Sequence, residues 1–387
     1  MTSPTLSAPE NQRANFVELF FDIVFAFAIT QLAHQTAHHL DPLSLLRSII
    51  VFWLVWWSWS QFTWALNAAN TERHDVRLGT LVATGVAFVL AVSVDQAFGD
   101  RAIWFAVSYV TLRMLGLVLY HGVASQNVEH RRGVRSFAQA SVPGMVLTIV
   151  GAFLPPQIRL WVWLSVILFD IAAVVIAVRH SAWGLNAGHF AERHGLVVII
   201  ALGESLIVAA TGVGINERTP RLMLAGALAV AATCLLWWTY FGWVQGAMEG
   251  SLEAAPPDRE KILARDIYSL WHFPLICGVV SFAAGMQRIV SDGIGVVSNE
   301  AAAALGMGMV LFVGSTAGAL RRAAGFWLWP RLVVIALTAI AVYLDAPTSP
   351  GVSFAIVCTG LALVITVEQV RRDAARASRA AGGEYST

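Results

Sequence analysis

The sequence predicts an all-α, polytopic transmembrane helical bundle of about 12 helices, arranged as two parallel six-helix repeats. Three observations carry that prediction. Of 387 residues, 57% are hydrophobic and only 13% are charged; the mean hydropathy is +0.66; and the apolar residues fall into about a dozen runs, each near the roughly 20 residues that span a bilayer as a helix. A soluble catalytic domain has no room between these runs. The formal charge of +1 gives no sign of a nucleic-acid partner, whose signature would be a concentrated basic surface.

Reading the apolar runs against their polar breaks places helices 1 to 6 at about 16–36, 43–66, 78–95, 102–123, 137–154 and 159–178. Helices 7 to 12 follow at about 192–212, 221–246, 264–289, 301–320, 326–345 and 351–370. Residues 1–15 are polar, lack an apolar signal-peptide core and read as a cytoplasmic tail; 16–180 and 181–371 form the two repeats, and 372–387 a second cytoplasmic tail. Seventeen of the 25 Lys and Arg lie on the side of the termini, Arg193 among them, and six on the other. Positive charge is retained in the cytoplasm, so both termini belong there, in a multi-pass protein of the bacterial inner membrane. Cys234, Cys277 and Cys358 all lie within apolar runs, which argues against disulfides and a thiolate metal site.

The repeat is read from rhymes about 180 residues apart. Trp56-Trp57-Ser58-Trp59 in helix 2 answers Trp237-Trp238-Thr239-Tyr240 in helix 8; Glu18 opens helix 1 as Glu192 opens helix 7; Pro143 and Pro330 each stand near a helix start. Six helices per half give both halves one orientation, related by an axis along the membrane normal.

Ionisable groups inside spans are costly and normally face protein or a wet cavity. Glu18 and Asp22 are four apart and share a face of helix 1 that continues through Phe25 and Ile29 toward Thr30. That face either meets an aqueous path or holds headgroup-level carboxylates that favour the positive end of the helix dipole. Arg113 in helix 4 stays charged and needs a carboxylate partner, with Asp22 and Asp170 the candidates, or a wet cavity; a structural ion pair and a transport role both remain open. Glu204 and Ser205 in helix 7 suit a proton shuttle or a protonated acid bonded to a neighbouring helix. Arg331 snorkels to the cytoplasmic surface on this reading. His272 precedes Pro274, which frees a carbonyl and bends helix 9. His34 and His38 have the four-residue spacing that lets two imidazoles meet one metal, but no distant third ligand is evident. The sequence calls for no cofactor.

The string Phe16 to His34, FVELFFDIVFAFAITQLAH, resembles the opening of the low temperature requirement protein A (LtrA) family. The resemblance continues through Trp56-Trp57, Ala97 to Asp100, Glu192 to Gly195, Leu202 to Ser205 and His272 to Leu275. It implies a bacterial integral membrane protein linked to growth in the cold, without an established chemistry. Phe20, Asp22, Val24, Phe25, Ala26, Ala28, Ile29 and Thr30 are similar to the F-S-D-x-V-F-A-x-A-I-T pattern of endolysosomal and prokaryotic potassium channels, with Phe21 in place of the serine. That family implies six-helix units whose first helix lines the pore, doubled in a homodimer. Helix 7 departs from it, offering Gly195 and Leu196 where Phe and Asp would recur.

The leading expectation is a permeation protein, a channel or a proton-coupled carrier, in which helices 1 and 7 line the path. Glu18, Asp22 and Glu204 would handle a small cation or proton, and Phe25 and Ile29 form an apolar gate. The alternatives are a membrane-embedded enzyme or lipid- or metal-handling protein using His34, His38, His272 and Glu204, and a structural membrane protein whose Trp-rich helices act in the cold.

Overall fold

The computed structural model describes residues 6–9, 12–124, 128–180, 185–215, 219–291, 296–346 and 348–383, and among them it is a bundle of twelve helices with no strand. The first seven are α1 (Phe16–His38), α2 (Pro42–Ala68), α3 (His74–Val92), α4 (Ala102–Ala124), α5 (Val128–Ala152), α6 (Pro156–His180) and α7 (Ala187–Ile215). α8 (Pro220–Glu253) turns at Gly242 and Trp243; α9 joins Pro257–Ala264, a π-helical turn Arg265–Leu270 and His272–Ser291. α10 (Asn299–Ala324), α11 (Trp329–Leu344) and α12 (Pro350–Gly383) complete the chain. Ten of these helices are long and apolar enough to cross a membrane, and α11 is a shorter apolar helix.

Helix ends follow local chemistry. Asp41 caps α2, its carboxylate accepting from the amides of Leu43 and Ser44, and Pro42 supplies the first helical residue. α10 stops at Gly325, whose φ of 83° is the left-handed conformation that favours glycine at a helix end. Several ends differ from the sequence-based reading; among them α8 runs about seven residues further, to Glu253, and α9 begins about seven residues earlier, at Pro257. α5 begins at Val128, nine residues early, because its arginine-rich first turns continue the helix; this leaves Pro143 inside α5, not near its start, while Pro330 does open α11. α7 begins at Ala187, which places Arg193 in its second turn. α12 continues to Gly383.

The chain divides into two compact units, residues 1–201 with 248–273, and 202–247 with 274–387. In the first, α5 and α6 pair closely, and α1, α3 and α4 pack in series with α2 against α1, α4 and α6. Its amino-terminal strand-like segment is tied down: Ser7 pairs with Ala69, and Gln12 donates to Leu66 O. In the second, α8, α10, α11 and α12 form the contacts. There α9 and α10 approach so closely that a β-carbon on Gly278 would lie 2.6 Å from the amide nitrogen of Phe312, the small-residue packing that membrane helices favour.

Candidate functional site

Apart from Glu204, the intramembrane charges named from sequence fall, among the described residues, into three polar clusters. The largest sits in the first unit, where α1, α2 and α7 meet. α1 starts with a capping box: the Asn15 amide donates to Glu18 Oε2 at 2.8 Å. Glu18 therefore turns inward in the first turn, and Asp22 follows on the same face. Both are fully enclosed. Arg193 of α7 reaches between them, 3.3 Å from Glu18 Oε1 and hydrogen-bonded to Asp22 Oδ1. Trp59 of α2 donates its indole N–H to the same Asp22 oxygen at 2.7 Å, and the guanidinium lies over its ring.

His189, one turn before Arg193, completes the cluster. Its Nε2 is 3.1 Å from Glu18 Oε2, and its Nδ1 is 3.1 Å from Asn67 Nδ2. An amide nitrogen donates, so Nδ1 accepts, and Nε2 carries the hydrogen that Glu18 receives. Asn67 also binds both backbone groups of Asn186, whose own side chain accepts the His189 amide and so holds the start of α7. Asp22 Oδ2 is buried and has no hydrogen-bond partner among the described residues.

Next to this cluster lies an aromatic box. His194 follows Arg193 in α7, with the rings of Trp59, Tyr268 and His272 at 5.0, 5.0 and 5.3 Å from its own. His194 Nδ1 donates to Phe190 O, and His272 Nδ1 donates to Ile267 O. The π-helical turn at 265–270 shapes this wall. It is held from α2: Trp56 Nε1 donates to Ser269 O at 2.8 Å, while Ser60 and Trp64 bind Ser269 Oγ. Such π turns are rare and concentrate at functional sites.

The second cluster binds α2, α4, α5 and α6. Arg113 donates to Asp170 Oδ1 at 2.8 Å, to Tyr109 and to Ser141, and Trp53 donates to Asp170 Oδ2 at 3.2 Å. Of its two candidate partners, Arg113 thus takes Asp170. The third cluster lies in the second unit. Arg331 does not snorkel to the surface: it is buried, with Glu368 of α12 at 2.7 Å, Thr316 Oγ1 at 2.6 Å and the carbonyl of Thr239 at 2.6 Å. Trp243 donates to Glu368 at 2.8 Å.

The remaining sequence-predicted residues lie apart from these clusters or line them passively. Phe25 and Ile29 are buried core residues; Thr30 donates to Ala26 O within its own helix. Glu192 accepts the Ala14 amide at 3.1 Å. Glu204 and Ser205 are buried in the second unit, and Ser205 Oγ has no partner among the described residues. His34 and His38 are exposed, with ring centroids 4.6 Å apart, and no third His, Cys, Asp or Glu joins them among the described residues. Sequence reasoning missed Arg193, His189 and Glu368. The four-residue spacing from His189 to Arg193 was the available signal for the first two.

The family model described as "Bacterial low temperature requirement A protein (LtrA)" matches residues 13–366. A relative from Rhizobium meliloti (strain 1021), described as an uncharacterized protein, is 24% identical, covering 71% of this chain and 69% of its own length. No solved structure matches.

Proposed function

Because the chain belongs to the bacterial low temperature requirement A family and is a multi-pass integral membrane protein, we propose that it is a proton-coupled permeation protein. The cluster between α1 and α7 is the group that takes up and releases the proton. One observation carries this reading, the charge count of that cluster. Glu18 and Asp22 bring two negative charges and Arg193 one positive charge, while the hydrogen bond from Asn67 leaves the His189 ring neutral. A surplus buried charge costs several kcal/mol in a low-dielectric interior, on the order of the penalty for any unpaired ion there. A single proton removes it. Asp22 Oδ2, enclosed and without a partner among the described residues, is the oxygen that has a place for that proton.

The enclosure of both acids supports a carrier-like cycle over a standing pore. A sealed cluster exchanges its proton only when helices part, first on one side of the bilayer and then on the other. Phe25 and Ile29, packed beside the acids on α1, then belong to the closed gate. The excess of Lys and Arg on the terminal side supports cytoplasmic termini in the inner membrane.

The test is flux in proteoliposomes under an imposed pH gradient, read with an internal pH-sensitive dye. The full-length protein should dissipate the gradient faster than empty vesicles do, and Asp22→Asn should reduce that rate by about a hundredfold or more, the low end of the scale of a lost proton-transfer group. Flux no faster than in empty vesicles, with protons alone and across a screen of cations and solutes, overturns the reading. A structural role is the second reading, favoured by the closed pairs Arg113–Asp170 and Arg331–Glu368. It predicts that Asp22→Asn lowers yield and changes no flux.

A further inference from the structure

In the second unit, a cavity of about 1020 Å³ opens between α8, α11 and α12. Its volume is at the upper limit of ligand pockets, roughly 300–1,000 Å³. Leu224, Leu228, Val334, Leu337, Ile356 and Leu363 make its wall apolar, and small residues at Ala225, Ala341, Gly351 and Ala355 make it concave. Leu224, Leu337 and Leu363 are 58%, 61% and 48% exposed, so the slot opens sideways, toward lipid in a membrane.

The rim differs from the wall. Among the described residues Arg221 is the one charged residue lining the cavity, and it is exposed and makes no ion pair or hydrogen bond with the others. α8 starts at Pro220 and α12 at Pro350, so two helix amino termini with their positive dipole ends lie at this same rim. From Gly351 at the rim to Leu363 at the far end, α12 advances twelve residues, about 18 Å at ~1.5 Å per residue. Half of a hydrocarbon core of ~30 Å is about 15 Å. The slot therefore runs from the headgroup level to the middle of the bilayer, the depth of one leaflet.

We infer that this slot holds one anionic phospholipid of the surrounding bilayer, its phosphate at Arg221 and the two helix starts, its acyl chains along the apolar wall of α8, α11 and α12. A free phosphate or small carboxylate gains nothing from the wall, and a neutral lipid gains nothing from the rim. Only an amphiphile with a net negative head uses both. The inference is independent of the proton reading, since its residues belong to none of the three clusters. His34, His38, His272 and Glu204 do not line the slot either.

The experiment is native mass spectrometry of the full-length protein released from micelles that contain phosphatidylglycerol and phosphatidylcholine with identical acyl chains in equal amounts. Phosphatidylglycerol should be retained roughly fivefold to tenfold over phosphatidylcholine, the gain expected from a charge-assisted contact to one arginine. Arg221→Gln should bring the ratio to near one, and Arg221→Lys should keep most of it. Val352→Glu, an exposed rim position, should lower phosphatidylglycerol below phosphatidylcholine. Ala355→Trp should fill the slot and reduce retention of both. Equal retention by the unmodified protein overturns the inference, as does a preference that survives Arg221→Gln or Val352→Glu. Undiminished retention in a folded Ala355→Trp protein overturns the acyl seat.

Discussion

Two kinds of buried charge cluster occur in this molecule, and they differ by one charge. Arg113 with Asp170 and Arg331 with Glu368 are balanced, one guanidinium to one carboxylate. Each uses the same parts: a tryptophan N–H on the acid, from Trp53 or Trp243, and a hydroxyl on the arginine, from Ser141 or Thr316. In the first unit the arginine stands on α4 and the hydroxyl on α5; in the second the hydroxyl stands on α10 and the arginine on α11. Two clusters built of the same parts, each neutral, have what a fastener between helices needs. The Glu18, Asp22, Arg193 and His189 cluster has an extra acid. Excess charge at a buried site does nothing for stability, so it is the place to look for exchange.

Removing the arginine from each cluster separates them most strongly. Arg193→Leu leaves two enclosed carboxylates without a cation, and the expected result is failure to fold, read as loss of monodisperse protein in detergent. Arg113→Leu leaves a single acid uncompensated and should cost about 3–5 kcal/mol, measured by thermal or steric-trap unfolding. In the balanced pair the double change Arg113→Leu with Asp170→Leu should recover most of that loss. Should the double variant be as unstable as the single one, the pair is more than a fastener.

Neutralising an acid should then sort the clusters by sign of charge. Asp170→Asn strands Arg113 and should again cost about 3 kcal/mol or more, whereas Asp22→Asn removes the surplus charge and leaves Arg193 paired with Glu18, for a cost within about 1 kcal/mol. The same isosteric change is thus expensive in one cluster and cheap in the other. Equal costs would show that Asp22 is as firmly charged as Asp170, and the proton reading would lose its basis.

The sequence made some of this contrast legible and hid the rest for a definable reason. Apolar runs located twelve helices, because burial in lipid acts on every residue of a span. Arg113 demanded a carboxylate, and Asp170 was one of two candidates, because the cost of an unpaired ion is a property of the residue itself. Arg193 was hidden by a boundary: with helix 7 placed from about 192, it counted as a surface charge, while α7 starts at Ala187 and carries it inside. Its pairing with Glu18, 175 positions away, has no trace in periodicity. Arg331 read as a snorkelling residue because Glu368 lies on another helix, and the π turn at 265–270 is visible only through the α2 side chains that hold it. The Trp motifs of helices 2 and 8 look alike in sequence, yet Trp56 and Trp59 are buried donors while Trp237 and Trp238 are 41% and 54% exposed.

The tryptophans of α2 give the finest version of the comparison, since one helix supplies donors of both kinds. Trp59 donates to the carboxylate of Asp22 and Trp53 to that of Asp170, while Trp56 donates to the neutral carbonyl of Ser269 and Trp64 to its hydroxyl. Replacing each by Phe removes the N–H and keeps an aromatic ring. A hydrogen bond to a charged group is worth about 1.5–3 kcal/mol and one between neutral groups about 0.5–1.5 kcal/mol. Trp53→Phe should therefore cost more than Trp56→Phe, and Trp64→Phe least, since Ser60 still binds Ser269 Oγ. Trp59→Phe is the informative member. With Asp22 ionised it should cost as much as Trp53→Phe; with the surplus proton on Asp22 it should fall to the cost of Trp56→Phe. Unfolding measured on the four variants places Trp59 in one group or the other, and with it the charge on Asp22.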